Sequence, residues 1–245
     1  MKIATGLMLC AIAGGTMAAE IRVLSAGAVE PGLRAAAAAF KKQSGHDVNI
    51  AFNTAPEIRK RIAGGEAFDV VIAPPAALDE FAAAGKVAAE RANLGRVGMG
   101  VAVRPGAPVP DISSADALKR SVLEADSIVF NRASSGIYFE NLLKKMEIYD
   151  RVQAKTTRYA DGAAVMVHVL NGKGREIGFG PVTEILQHRE KGLKLVGPLP
   201  PEVQNYTSYS AAPMTSAANA ELARSLVRYL GSAEAKALLA GAGID

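Results

Sequence analysis

The sequence predicts an α/β protein of two lobes with a cleft between them, the lobes joined by two crossing strands. Three observations predict it. Short β-rich runs, small-residue loops and amphipathic helical segments alternate along the chain, the pattern of parallel strands covered by helices. Two longer extended segments, near residues 97–103 and 205–211, flank a unit of about a hundred residues and are placed to act as hinges. The apolar fraction of 49% with 21% charged residues is that of a folded chain rather than a disordered one.

Residues 1–19 have the three parts of an export signal: Lys2, the apolar run Ile3 to Ala13, and Met17-Ala18-Ala19 as a cleavage site before Glu20. The run is shorter than the ~20 apolar residues of a membrane span. Cys10 raises a lipid anchor as an alternative. Such a signal carries Gly or Ala before the cysteine, whereas Leu9 stands here, and little apolar sequence precedes it. Cleavage after Ala19 removes the single cysteine, so the mature chain has no thiolate, disulfide or cysteine metal ligand. The expectation is a periplasmic protein working where ATP and nicotinamide cofactors are scarce.

In the mature chain, Ile21 to Leu24 is a strand and Ser25-Ala26-Gly27-Ala28 a loop. A helix with Leu33, Ala37 and Phe40 on one face stops near Gly45. Val48 to Phe52 is the next strand, followed by Asn53-Thr54 and a helix carrying Ile58 and Ile62. Thr54-x-x-Glu57 has capping-box form. Val70 to Ala73 is a buried strand, broken by Pro74-Pro75 before a helix with Leu78 and Phe81 that Gly85 closes. After the first hinge segment, the three prolines of Pro105 to Pro110 exclude a helix. Ser114 to Ala125 is helical, Ile128 to Phe130 a strand, and Ala133-Ser134-Ser135-Gly136 a loop before a helix reaching Met146. Asp161 caps a helix bearing Val165 and Val169. Ile177 to Phe179 and Leu193 to Val196 are strands, Tyr206 to Ala211 returns extended, and Ser216 onward is helical. The expected lobes are residues 20–102 with 206–245, and residues 103–205.

Four loops share one character: Ser25-Ala26-Gly27, Asn53-Thr54, Ser134-Ser135-Gly136 and Asp161-Gly162. Small residues let backbone N–H groups approach a ligand, a helix N-terminus carries about half a positive charge, and hydroxyls donate without net charge. Each loop alone is more simply a set of helix caps. Their convergence on one cleft would make a site for a small anion. The formal charge of +4 comes from scattered basic residues, Trp is absent and aromatics are 5%, which argues against a nucleic-acid partner. Removing Lys2 leaves +3, a mild bias toward anions.

Together, Ile21 to Ala28, Phe40-Lys41-Lys42-Gln43-Ser44-Gly45-His46-Asp47-Val48, Ile58 to Ile62 with Asp69-Val70-Val71-Ile72, Ser135-Gly136-Ile137-Tyr138 and Glu176-Ile177-Gly178-Phe179 resemble, in order and spacing, the periplasmic molybdate-binding type of ABC-transporter solute-binding protein. The resemblance covers nearly all of the mature chain. It implies the two-lobed type II periplasmic binding protein fold, a monomer that traps a small anion between its lobes, and delivery to a membrane permease with its cytoplasmic ATPase. The hydroxyls expected of that family's oxyanion cage are not all present: two serine positions fall on Ala28 and Ala55, and a tyrosine position on Pro181, here a candidate lining residue. Gly98 to Arg104, Pro110-Asp111-Ile112-Ser113 and Gly197-Pro198-Leu199-Pro200 resemble a divergent branch that includes aconitate isomerases, which makes an organic carboxylate the alternative ligand. Arg132, beside the Ser134-Ser135 loop, is the candidate for a bidentate contact to a carboxylate.

No cofactor is expected. His46, His168 and His188 do not sit at metal-ligand spacing. His46 is expected in an exposed turn, His168 at the edge of a helix and His188 at a solvated helix end. Tyr138 and Asp161 are the candidates for moving a proton if the protein is an isomerase, although a tyrosine in that place more often packs and such an aspartate more often caps.

Overall fold

The computed structural model describes residues 19–245, so the expected export segment up to Ala18, with Cys10, lies outside the described residues. Among the described residues no helix is long and apolar enough to cross a membrane.

The chain opens with β1 (Glu20–Ala26), a 3-10 turn over Gly27–Val29, α1 (Glu30–Ser44), β2 (Asp47–Asn53), α2 (Ala55–Ala63), β3 (Val70–Ala73) and α3 (Pro75–Ala83). It crosses on β4 (Ala92–Val103) into α4 (Ala115–Glu124), β5 (Ser127–Asn131), α5 (Ser134–Lys145), α6 (Tyr149–Val152), β6 (Thr156–Tyr159), α7 (Gly162–Asn171), β7 (Glu176–Pro181), α8 (Val182–Leu186) and β8 (Lys194–Pro198). It returns on β9 (Tyr206–Pro213) and ends with α9 (Ala220–Leu230) and α10 (Ala233–Gly241).

Local chemistry explains the boundaries. α1 buries Leu33, Ala36, Ala37 and Phe40 on one side and ends at Gly45, whose φ of +74° is the left-handed conformation a C-terminal cap requires. The helix expected from Ser216 begins instead at Ala220, because the Asn219 side chain accepts the Leu222 N–H at 3.0 Å. It breaks at Gly231, and Ser232 caps α10 through the Ala235 N–H at 3.2 Å. Strand β6 escaped the sequence reading, since Thr156-Thr157-Arg158-Tyr159 is half-buried throughout and shows no apolar run.

The strand order is β2-β1-β3-β9-β4-β7-β5-β6, with β8 also on β4. Parallel pairing holds within each half, β1 with β2 and β3, and β5 with β6 and β7. The expectation of parallel sheets fails at the crossing strands: β9 is antiparallel to β3 and β4, and β4 is antiparallel to β7 and β8. The chain leaves one lobe on β4 and comes back on β9, so the two run in opposite directions.

β4 belongs to both halves. Its residues 92–98 pair with β9, and 99–103 pair with β7 and β8. The apolar clusters part at the same point: Leu94 and Val97 join Leu24, Val71, Ile72 and Leu226, whereas Met99 and Val101 join Phe130, Phe139 and Phe179. Gly98 marks the change of partners. A Cβ there would lie 3.1 Å from the Tyr206 ring. On the returning segment, the Gln204 side-chain amide bonds both the N–H and the carbonyl of Met99 at 3.0 Å, clipping the two connections together.

Candidate functional site

A cavity of about 530 Å³ is lined by residues from both halves of the chain. Its wall comes from the carboxyl ends of parallel strands, where α/β folds place their ligands: Ala26 and Gly27 after β1, Asn53 and Thr54 after β2, Ser134 and Ser135 after β5, Asp161 and Gly162 after β6, and Pro181 at the end of β7. The structure thus brings together nine of the residues singled out from the sequence.

Three others do not line this cavity. Ser25 is fully buried in β1, between Phe52 and Ile72 of the flanking strands, and its hydroxyl donates to the Ala26 carbonyl at 3.1 Å. Strand alternation turns it away from the wall that Ala26 faces. Arg132 is exposed, and its backbone N–H donates to the Tyr159 carbonyl at 2.8 Å. Tyr138 lies one helical turn along α5, packs on the second apolar cluster and donates its hydroxyl to the Val203 carbonyl at 2.9 Å. Burial raises its pKa.

The helix starts are built in different ways. Asp161 caps α7 by accepting the Ala164 N–H at 2.9 Å, as expected. Thr54 makes no capping bond to α2, so the expected capping box does not form. At α5 the work falls to Asn131, which the sequence reading missed. Its buried Oδ1 accepts the Ala133 and Gly136 N–H groups at 3.0 Å each, and its Nδ2 donates to the Ser135 hydroxyl at 3.1 Å. Asn131 and Asp161 take the Gly136 and Ala164 N–H groups, and Pro56 has none. The first-turn donors left without a partner in their helices are therefore those of Ala55 and Glu57 in α2, Ser134 and Ser135 in α5, and Gly162 and Ala163 in α7. Together with the 3-10 turn at Gly27, they give the cavity a wall of donors at positive dipole ends.

Charge in the wall is acidic. Glu30, Glu57, Asp161 and Glu184 line the cavity, and no lysine or arginine does among the described residues. Glu30 is paired with Arg34 at 2.8 Å and Glu57 with Lys60 at 3.7 Å. Among the described residues no group of three or more His, Cys, Asp and Glu is placed to hold a metal.

Glu184 stands apart. The residue keeps some surface, but Oε2 is closed off from solvent and has no hydrogen-bond partner among the described residues. Burial, then the nearby charges of Asp161 and Glu30, push its pKa up to about 8. Tyr209 of β9 is buried beside it, and its hydroxyl is raised far above the ordinary tyrosine value by burial first and the Glu184 charge second. His188 is 7% exposed and lines the cavity, with its Nδ1 bonded to the Glu184 carbonyl at 3.1 Å. That corrects the expectation of a solvated histidine: α8 is one short turn, and it rolls His188 inward. No capping pattern marks Glu184 in the sequence: it stands three residues after Pro181, which has no N–H for it to accept.

The raised pKa predicts a pH-dependent stability. Below the ordinary value of 4.5 the folded and unfolded chains both hold the proton. Between 4.5 and about 8 only the folded chain does. The Glu184 contribution to stability is therefore fully present at low pH and falls by ~1.4 kcal/mol per pH unit across that window. Denaturant titrations of wild type and Glu184→Gln should diverge with this slope; parallel curves would contradict it.

Solved structures share the fold. The periplasmic molybdate-binding protein of Azotobacter vinelandii superposes with a TM-score of 0.77 at 18% identity, over 92% of this chain and 98% of that one. The sulfate-binding protein SubI of Mycobacterium tuberculosis does so at 0.72 and 15%, over 92% and 86%. A tungstate ABC transporter structure from Geobacter sulfurreducens gives 0.71 and 14%, over 91% and 98%. In sequence, an aconitate isomerase from a Pseudomonas species is 33% identical over 231 residues, 91% of this chain and 87% of the relative. The model of the bacterial extracellular solute-binding protein family matches residues 21–245. On that coverage the chain belongs to the bacterial extracellular solute-binding proteins, built on the type II periplasmic binding protein fold.

Proposed function

We propose that the two lobes close on a small organic carboxylate in the periplasm and that the closed, monomeric protein presents it to a membrane permease driven by a cytoplasmic ATPase. One observation carries the reading: helix starts from both lobes face one cavity and supply donors where, among the described residues, no lysine or arginine stands. A ligand touching both sets of donors favours closure, because only the closed form offers them together.

Size and wall chemistry support an organic acid over a metal oxyanion. A cavity of about 530 Å³ exceeds what a four-oxygen anion fills. Ala28, Ala55 and Pro181 line it where the molybdate-binding type is expected to offer hydroxyls. The 33% identical relative is named for aconitate, a tricarboxylate. A thermal-shift panel of molybdate, tungstate, sulfate, citrate, cis-aconitate and trans-aconitate tests the reading. A carboxylate should stabilise the protein by ~2.7 kcal/mol at a hundredfold excess over its Kd. Shifts confined to molybdate and tungstate would replace the organic ligand by an oxyanion, and no shift at all would remove the anion site.

The same relative, together with a carboxyl able to hold a proton inside the cavity, favours a second reading as a periplasmic isomerase of an unsaturated carboxylic acid. It predicts conversion of cis-aconitate to trans-aconitate without added metal or cofactor. An unchanging absorbance trace at high protein concentration would dismiss it.

A further inference from the structure

Glu184 has no place in an anion cavity unless it carries a proton. As a carboxylate it would set a negative charge against the ligand, with no lysine or arginine among the described residues of the wall to offset it. The groups facing it from the packed elements deepen the problem: Asp161 at the start of α7, Glu30 on α1, Tyr209 on β9, and His188 one turn along its own helix. Asp161 and Glu30 both add like charge.

The fold makes deliberate room for the group. Its carboxyl is wedged between the glycines of two opposing loops. A Cβ on Gly27 would lie 3.5 Å from Oε1. A Cβ on Gly162 would overlap Oε2 and fall 2.6 Å from Cδ. Gly27 belongs to one lobe and Gly162 to the other, so the carboxyl sits in the seam where a bound anion would touch both. Oε2 is closed in against Gly162 and unpartnered among the described residues, a polar atom costly to leave charged, which favours the protonated carboxyl.

We propose that Glu184 is the specificity contact of this site: it meets the ligand as a neutral carboxylic acid, donating its proton in a hydrogen bond to a deprotonated oxygen of the anion across the seam. The contact rests on the anion reading above and adds two properties to it. The site selects a free carboxylate or oxyanion oxygen over its ester, because a hydrogen bond to an ionised acceptor is roughly twice as strong as one to a neutral ester carbonyl. Binding is linked to protonation: once Glu184 loses its proton the donor becomes a like charge, and affinity falls about tenfold per pH unit.

The test uses the full mature chain as wild type, Glu184→Gln and Gly162→Ala, with trans-aconitate and molybdate as probes, since neither changes charge above neutral pH. Calorimetry in buffers of differing ionisation enthalpy reads affinity and proton uptake together. Wild type should bind without proton uptake near neutral pH. About one unit above the Glu184 midpoint it should take up close to one proton per ligand, with affinity falling about tenfold per pH unit. Glu184→Gln, which keeps a donor but cannot titrate, should bind with a flat pH profile and no uptake. Gly162→Ala, which pushes the carboxyl out of the seam, should bind at least about tenfold more weakly at every pH. Infrared spectra of the unliganded proteins should show a carboxylic-acid carbonyl band in wild type that Glu184→Gln lacks. Binding of a probe without that band, or with the same pH slope in Glu184→Gln, would overturn the contact and leave the anion site standing. The band without binding of either probe, or of any anion in the panel above, would overturn both.

Discussion

Gly136→Ala is expected to cost more than about 4 kcal/mol of stability and to abolish ligand binding with it. The reason is backbone geometry. A Cβ on Gly136 would overlap the Asn131 carbonyl oxygen and stand 2.6 Å from Asn131 Oδ1. Neither atom is the free end of a flexible chain. The carbonyl belongs to the last residue of β5, which is held in register with Tyr159 of β6. Oδ1 is fixed by the Ala133 and Gly136 N–H groups it accepts. Relief therefore requires α5 to lift off the sheet, and that breaks the Asn131 bonds that set Ser135 and the helix start in the cavity wall. Thermal and denaturant unfolding, with the anion panel at low temperature, would measure both losses. Gly241→Ala is the control: nothing lies within 4 Å of its Cβ position, so stability should change by less than about 1 kcal/mol. A Gly136→Ala protein as stable as the control would show that the helix start yields easily.

Much of this architecture was legible in the sequence, for reasons that differ by element. The periodic faces of α1 and α9 follow from burial of Leu33, Phe40, Leu226 and Leu230, and period alone reveals them. The small-residue loops were found because strand ends followed by helix starts carry a recognisable composition. Eight of those loop residues do line one cavity. What failed depended on partners distant in sequence. Ser25 reads like a loop hydroxyl, but β1 runs on to Ala26 and buries it. Arg132 reads like an anion clamp, yet its position beside β6 leaves the side chain in solvent. Asn131 was invisible because its role lies in three bonds to the following turn, not in periodicity. Glu184 sat in a segment that looks like an ordinary polar helix start. Only the meeting of α8 with Gly27 and Gly162 from opposite lobes turns it into a buried acid. Sequence patterns report what a segment does to its own backbone, whereas this site is made where segments from separate lobes meet.

Phe139→Ala is expected to destabilise the protein by about 3–5 kcal/mol, a fall in Tm of roughly 10 °C for a chain of this size. Phe139 is fully buried, stacked on Phe179 with ring centroids 3.8 Å apart and set edge-on to Phe130 at 5.3 Å. Phe130 and Phe179 come from the adjacent strands β5 and β7, so this one ring fastens α5 to the sheet beneath it. Truncation removes the apolar surface and leaves a cavity that two strand residues cannot collapse into without breaking their pairing. The effect should also reach the site. Phe139 lies one turn beyond Ser135, and a loosened α5 carries the Asn131-bound helix start with it. Phe139→Leu keeps most of the volume and should cost less than about 1.5 kcal/mol. If both variants lose ligand affinity in proportion to stability, α5 acts as a rigid strut between core and cavity. Full affinity in a strongly destabilised Phe139→Ala protein would instead show that the Asn131 bonds alone hold the helix start in place.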